Sequence, residues 1–363
     1  VFDGMKVLFT CGREVAYVRN AMMLEGLKRN HAEIVDAMDD SPSYLGRHLG
    51  IIRKLFRLRR SPCDLVFVGF LGQLLIFLVR LLYKKPLVLD AYISIFDKLC
   101  NDSKWIRPGS PAGRLLVLLD TWSCRLADLV LLDTDAHIDF FVASFNLPRD
   151  KFHRVLVGAD ESIFFPLPGR SDDGKFRVFY YATYLPLHGT EHIVRAAAQL
   201  VGHPEIEFRI VGKGQQYRAT RELAQALGAT NIDFVEWLPY EELPREIAQA
   251  DLCLGGHFSS IEKAARVIAC KSYQFVAMAK PVVLGDCPAN RELFTHGEDA
   301  YFVTMADADS LARGILALRQ DPELCRRIAA GGYRTYTENG TRAAIGRQLA
   351  PVLCKTTAKG QTH

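Results

Sequence analysis

What this chain lacks narrows it quickly. Its nine cysteines, at 11, 63, 100, 124, 253, 270, 287, 325 and 354, never pair at a CxxC spacing, so neither a zinc site nor a disulfide framework is expected. Single scattered thiols suit a reducing compartment, where they serve as small core residues. No charged leader and apolar run precede the first strand pattern, so no signal peptide is expected; Val1 to Gly4 read as native lead-in or cloning remnant. The uncharged run 65–79 (LVFVGFLGQLLIFLV) is interrupted by Gly69 and Gly72 and closed by Arg80. That is short of the about 20 apolar residues a membrane span needs, and a buried strand at 65–70 leading into a core helix at 73–83 explains it. Net charge is only +4 over 363 residues, so a basic partner surface must come from local clustering. These absences describe a cytoplasmic globular protein.

What is present is an alternation of short apolar runs with helical patterns, and it occurs twice. KVLFT (6–10), DLVFVGF (64–70), PLVLD (86–90), DLVLLDT (128–134) and FHRVLVG (152–158) are separated by helical patterns such as 17–29, 73–83 and 111–127. A polar stretch, PLPGRSDDGK (166–175), then punctuates the chain. The same alternation restarts with FRVFYYA (176–182), IEFRIVG (206–212), IDFVEW (232–237), ADLCLGG (250–256), KPVVLG (280–285) and AYFVT (300–304), with helices expected at 190–202, 216–227, 240–248, 262–279 and 307–319. Strands that are apolar throughout imply a parallel sheet covered on both faces. The expected fold is α/β, with two Rossmann-like, doubly wound parallel-sheet domains facing an interdomain cleft. Residues 1–167 form the first domain and 168–335 the second. A C-terminal helix in 336–363 is expected to cross back to the first domain and end in a frayed tail, KTTAKGQTH. Ligands bind such sheets outside the carboxyl ends of the strands, so the loops after Thr10, Asp90, Asp133, Ala182, Gly212 and Gly256 carry the chemistry.

Taken one at a time, those loops are ambiguous. YYATYLPLHGTEHIV (180–194) runs from strand to helix through His188 and Gly189, which suits an anion at the helix start or an ordinary turn. VGKGQQYRATRELAQALG (211–228) has Gly212 and Gly214 but Tyr217 where a GxGxxG fingerprint needs its third glycine, which argues against a nicotinamide dinucleotide. DTD at 133–135 reads as polar residues at a strand end, and no metal is expected.

Order and spacing say more. A-T-Y-L-P-L-H-G (182–189), G-K-G (212–214), Q-F-V-A-M-A-K-P-V-V (274–283), VGADESIFFP (157–166) and ADLVLLDTDAHIDFF (127–141) together resemble the retaining GT-B glycosyltransferases of family 4 (group 1). The resemblance covers nearly the whole chain. It implies a nucleotide-diphosphate sugar held mainly by the second domain, with donor contacts from Thr183, His188, Gly189, Gly212, Gly214, Glu262, Tyr273 and Gln274. From the first domain it implies Gly12 and Arg13, with Arg19 as a supplement. Asp90, Ser94 and Asp97 would border the acceptor. The departures cluster: the family's loop arginine and lysine fall on Thr183 and His188, and the two glutamates of E-x7-E fall on Arg266 and Gln274. Positive charge is needed where a diphosphate leaving group develops its charge, so it is expected to have moved to Arg266, as a bidentate clamp, and Lys271. Gln274 is expected to meet the ribose as a neutral donor and acceptor, with a plain helical residue as the alternative.

The resulting expectation is a metal-independent retaining hexosyltransferase without a cofactor, acting from a UDP-sugar on a glycan or lipid-linked acceptor. The alternative is a catalytically inactive sugar-nucleotide or glycan-binding relative; an epimerase of the same fold fits the motifs less well. One further segment, GRHLGIIRKLFRLRR (46–60), lies in a stretch with no acid between Asp40 and Asp64. Ile51, Ile52, Leu55 and Leu58 make one apolar face, flanked by Arg53, Lys54, Arg57 and Arg60. It reads either as a contact to an anionic membrane surface, which would make the protein peripheral on the inner face, or as a core helix with a basic solvent face. No aromatic-interleaved basic groove accompanies it, so nucleic acid is not an expected partner.

Overall fold

The computed structural model describes Gly4 to Gly360; the lead-in residues Val1 to Asp3 and the last residues of the tail lie outside the described residues. By contacts the chain divides into two compact units, one of Val1–Gly158 with Arg342–His363 and one of Ala159–Thr341. The first runs β1 (Lys6–Cys11), α1 (Val18–Arg29), β2 (Glu33–Asp36), α2 (Tyr44–Leu58), β3 (Leu65–Gly69), α3 (Leu75–Leu82), β4 (Leu87–Asp90), a π-helical turn (Asp97–Asp102), α4 (Pro111–Leu126), β5 (Leu129–Leu132), α5 (Asp135–Phe145) and β6 (Phe152–Arg154). The second runs β7 (Phe176–Tyr181), α6 (Thr190–Gln199), β8 (Ile206–Val211), α7 (Tyr217–Ala226), β9 (Ile232–Val235), α8 (Leu243–Ala248), β10 (Leu252–Leu254), α9 (Cys270–Ala277), β11 (Val282–Gly285), α10 (Pro288–Arg291), β12 (Tyr301–Val303), α11 (Ala308–Gln320) and α12 (Pro322–Asn339). The last helix, α13 (Arg342–Gly360), returns to the first unit.

Each unit holds a six-stranded sheet, ordered β2-β1-β3-β4-β5-β6 in the first and β12-β11-β10-β7-β8-β9 in the second. The strand pairings in both are parallel. Numbered from β7, the second sheet reads 3-2-1-4-5-6 in reverse, the order of a dinucleotide-type doubly wound domain. Its direction of winding reverses between β7 and β10, so the loops after those two strands frame its ligand-binding edge. In the first sheet the reversal falls between β1 and β3.

In the first sheet, Leu8, Val66, Val68, Leu89 and Leu132 are buried in one cluster with Ile51 and Leu55 of α2 and Ile76 and Val79 of α3. That assigns Ile51 and Leu55 to the core, so this face of segment 46–60 is not a surface. α1 and α13 pack on one another, and Leu156 N–H donates to Gln348 of α13.

One expectation needs correction, and the contacts and the tail add two details. The helix expected over 262–279 is a 3-10 turn, Glu262–Ala265, and then α9 from Cys270, because Ala269 is extended (φ −63°, ψ 134°) and interrupts the ladder. The boundary expected at 167/168 falls by contacts at Gly158/Ala159: Ala159 N–H donates to Gly340 at 3.0 Å, and its carbonyl accepts from Tyr336 at 3.1 Å. Of the tail expected to fray, KTTAKGQTH (355–363), the residues to Gly360 are helical and the rest lie outside the described residues.

Candidate functional site

The second unit gathers its polar groups at the β7/β10 reversal. After β7, Ala182 and Thr183 lie so close to the 212–214 turn that a Cβ on Gly214 would sit 1.8 Å from the Thr183 carbonyl oxygen. Only glycine permits that approach. Thr183 itself is exposed. The chain then makes a 3-10 turn, Pro186–His188, and Gly189 adopts φ +67° to start α6. A Cβ on Gly189 would meet the Phe258 carbonyl carbon and the Ser259 nitrogen, both at 2.4 Å. Phe258 N–H donates to the His188 carbonyl and Ser259 Oγ–H to the Leu187 carbonyl, at 3.2 and 2.8 Å. The loops after β7 and β10 are therefore one bonded assembly.

His188 and His257 stack across this join with parallel rings 5.5 Å apart. His257 is buried, and burial, aided by Lys271 and Lys263, pushes its pKa down to about 3, so it is neutral. Lys271, in the first turn of α9, is also buried. Its Nζ lies 4.1 Å from the centre of the Tyr180 ring and 5.5 Å from that of Tyr181, and makes no hydrogen bond among the described residues. The ring faces attract the ammonium, yet burial still lowers its pKa from the ordinary 10.5 to about 7, with only Cys270 acting in the opposite direction.

Gln274 lies one turn further along α9 and is 4% exposed. Its Oε1 accepts from Tyr181 Oη–H, and its Nε2 donates to Tyr240 Oη at 3.4 Å. Two tyrosines thus hold the amide, leaving one lone pair and one hydrogen for any ligand. Tyr273 points into the core at 1% exposure. Glu262 is exposed on the 3-10 turn, and Arg266 ends that turn half-buried, its N–H bonded to the Lys263 carbonyl. Arg266 and Lys271 therefore belong to separate elements, not to one helix face. Sequence reasoning missed Tyr180, Tyr181, Tyr240 and His257. The position of His257 directly after Gly255-Gly256, at the end of β10, was the available signal.

The first unit corrects several assignments. Gly12 closes the turn after β1, with its N–H on the Phe70 carbonyl at 3.0 Å, and Arg13 is exposed and paired with Glu14 at 2.7 Å. Arg19 is not a ligand group. It is fully buried, grips Asp90 with Nε and Nη2 at 2.8 to 3.2 Å, and donates to the Val155 and Leu156 carbonyls. Burial acts against the Arg19 charge, but Asp90 more than offsets it and holds the guanidinium above its ordinary pKa. Asp90 is consumed by that pair rather than bordering an acceptor. Ser94 and Asp97 are likewise internal: Ser94 Oγ–H donates to Asp120 at 2.6 Å and accepts from Asp97 N–H at 2.9 Å, and Asp97 accepts from Asn101 at 2.7 Å. In the DTD stretch, Asp133 pairs with His137 at 2.7 Å, Thr134 caps α5, and Asp135 pairs with Arg149 and Arg154. No cluster of His, Cys, Asp or Glu suited to a metal occurs among the described residues.

Comparison with known proteins fits this geometry. The model of the family "Glycosyl transferases group 1" matches residues 167–335. The MMP alpha-(1->4)-mannosyltransferase of Mycolicibacterium hassiacum is 26% identical over 234 residues, 63% of this chain and 54% of that one. The putative glycosyltransferase EpsD of Bacillus subtilis is 26% identical over 46% of this chain and 42% of its own. The chain thus spans about half the length of these curated relatives. Among solved structures, a sucrose-phosphate synthase from Thermosynechococcus elongatus superposes with TM-score 0.74 at 13% identity, covering 98% of this chain and 100% of that one. Anabaena HepE in complex with UDP-glucose gives 0.71 at 18%, covering 97% and 100%. The chain has the two-domain GT-B fold of these structures, and its residues 167–335 match the model of the group 1 glycosyl transferases.

Proposed function

We propose that this protein transfers a hexosyl group from a nucleotide-diphosphate sugar, specifically a UDP-sugar, to a glycan or lipid-linked acceptor, with retention at the anomeric carbon and without a metal. The observation that carries the reading is Lys271: a buried amine without a counterion or hydrogen bond among the described residues, in the first turn of a helix at the reversal of the sheet. A buried ammonium is costly unless an anion completes it, and a diphosphate supplies that anion. As the glycosidic bond breaks, charge grows on the leaving phosphate, and a cation already fixed in a water-poor site stabilises it without reorganising. Arg266 would add a second cation from the adjoining turn. The solved neighbour HepE binds UDP-glucose, which supports the choice of nucleotide. The carboxylates of the DTD stretch already have basic partners, which supports fixed cations rather than a metal as the charge-stabilising element.

Titration calorimetry with UDP, UDP-glucose and GDP, followed by turnover in the presence of EDTA and by the anomeric configuration of the product, tests this. The expected result is UDP binding that Lys271→Met weakens, turnover that survives EDTA, and a product of retained configuration. A second reading, a sugar-nucleotide-binding relative without turnover, draws on Gln274, whose polar groups are already engaged by Tyr181 and Tyr240. UDP binding with no transfer across a broad acceptor panel would decide for it.

A further inference from the structure

The outer surface of the first unit is more unusual than its core. α2 touches α3, and α3 touches α4, so the three form one layer over the sheet. At the N-cap of α3 and along it, the residues turned away from the core are Leu74, Phe77 and Leu81, spaced by three and four positions; on α4 they are Leu115, Leu118 and Trp122, at the same spacing. Those intervals keep each trio on one helix face. Leu81 is 79% exposed and Leu115 65%, while α2 adds Leu45 at 71%. Soluble surfaces rarely leave adjacent apolar stripes uncovered.

The charge around these stripes is mainly positive; the exposed acids at its edge are Asp64, which accepts from Lys6 N–H, and Asp128, paired with Arg80. Arg57 and Arg60 at the end of α2, Lys84 and Lys85 after α3, and Arg125 on α4 are all exposed. Arg125 lies over the Trp122 ring at 5.3 Å. Segments 41–63 and 65–89 contain no acid, and 103–127 contains only Asp120, which is 1% exposed and accepts from Ser94, Ile95 and Phe96. No helix among the described residues is long and apolar enough to cross a membrane. A face that cannot span, carries apolar side chains at its centre and cations around them is complementary to the headgroup layer of an anionic bilayer. A second copy docking through the same face would bring two predominantly positive patches together, which is repulsive.

We propose that the joined outer faces of α2, α3 and α4 form a docking surface for an anionic lipid bilayer, on which the protein lies without spanning. The surface differs from the Ile51–Leu55 face, which the core occupies. It stands apart from the transfer reaction, so its failure leaves that reading intact, and failure of the reaction leaves this one intact.

Co-sedimentation of the full chain with vesicles of phosphatidylglycerol and phosphatidylcholine in equal parts tests it, beside vesicles of phosphatidylcholine alone. Binding is expected only to the anionic vesicles and should be released at high salt. The double variant Leu81→Ser/Leu115→Ser should lower the partition coefficient about tenfold, from the lost apolar burial. Arg57→Gln/Arg60→Gln should lower it about fivefold per charge. All four substitutions are at exposed or rim positions, and unchanged melting temperatures would show the variants folded. Absence of vesicle binding, or equal binding by both variants and the parent, overturns the proposal. So does a solution dimer that the leucine variants dissociate, because that gives the face to a second copy.

Discussion

Lys271 Nζ sits 4.1 Å from the centre of the Tyr180 ring, and that ring face is the nearest thing to a counterion that the described residues give it. With its pKa near 7, the amine is charged below neutrality and neutral above it. Affinity for UDP should therefore fall as pH rises through about 7, and Lys271→Met should flatten that dependence. Calorimetry across pH 6 to 9 checks it; a parent affinity independent of pH would remove Lys271 from the phosphate site.

The same group has a stability consequence of opposite appearance. Its folded pKa of about 7 lies below the ordinary 10.5, so the unfolded chain binds the proton more tightly between those values. Stability should rise with pH across that window by about 1.4 kcal/mol per unit from this residue, and Lys271→Met should abolish that share. Urea unfolding of both proteins at pH 7.5 and 9 measures the difference.

Gln274→Ala should cost about 1–3 kcal/mol by leaving the buried Tyr181 hydroxyl without its acceptor. Gln274→Glu keeps an acceptor for Tyr181, so at a pH low enough to keep the buried carboxyl neutral it should be the milder change. Equal losses in chemical denaturation would mean that the Tyr181 bond contributes little.

Arg19 and Asp90 form a closed buried pair. Arg19→Met should destabilise the first unit by about 3–5 kcal/mol, because it leaves Asp90 as an uncompensated buried charge. Arg19→Met/Asp90→Leu should cost less than the two single losses summed. Additive losses in a double-mutant cycle would contradict the coupling.

The fold was legible because its signal is local. Apolar runs such as 64–70 and 206–212 alternate with helical patterns, and that rhythm survives without any long-range knowledge. β2 (Glu33–Asp36) escaped because it is a four-residue edge strand with acids at both ends and no buried position. The break before α9 escaped because nothing in Val267, Ile268 and Ala269 forbids a helix; tertiary packing decides it. The segments carrying Thr183, Gly189, Gly214 and Lys271 were legible as neighbours at one sheet edge, but their bonded partners were not. Tyr181 and Gln274 are 93 residues apart in the chain, and Arg19 and Asp90 are 71. No spacing rule predicts such pairs, which is why the strand-end position of Asp90, Ser94 and Asp97 suggests an acceptor border while their side chains bond within the interior.

The return of α13 to α1 makes the second unit an insertion within the first. At Gly26 and Gly346 the two helices pack so closely that a Cβ on either would fall within about 3 Å of the other's backbone. During synthesis the first unit must therefore wait, with the α1 face of its sheet incompletely covered, until all of the second has been made. The closing helix α13 is made only after the second unit, so that unit can finish folding before the one that precedes it.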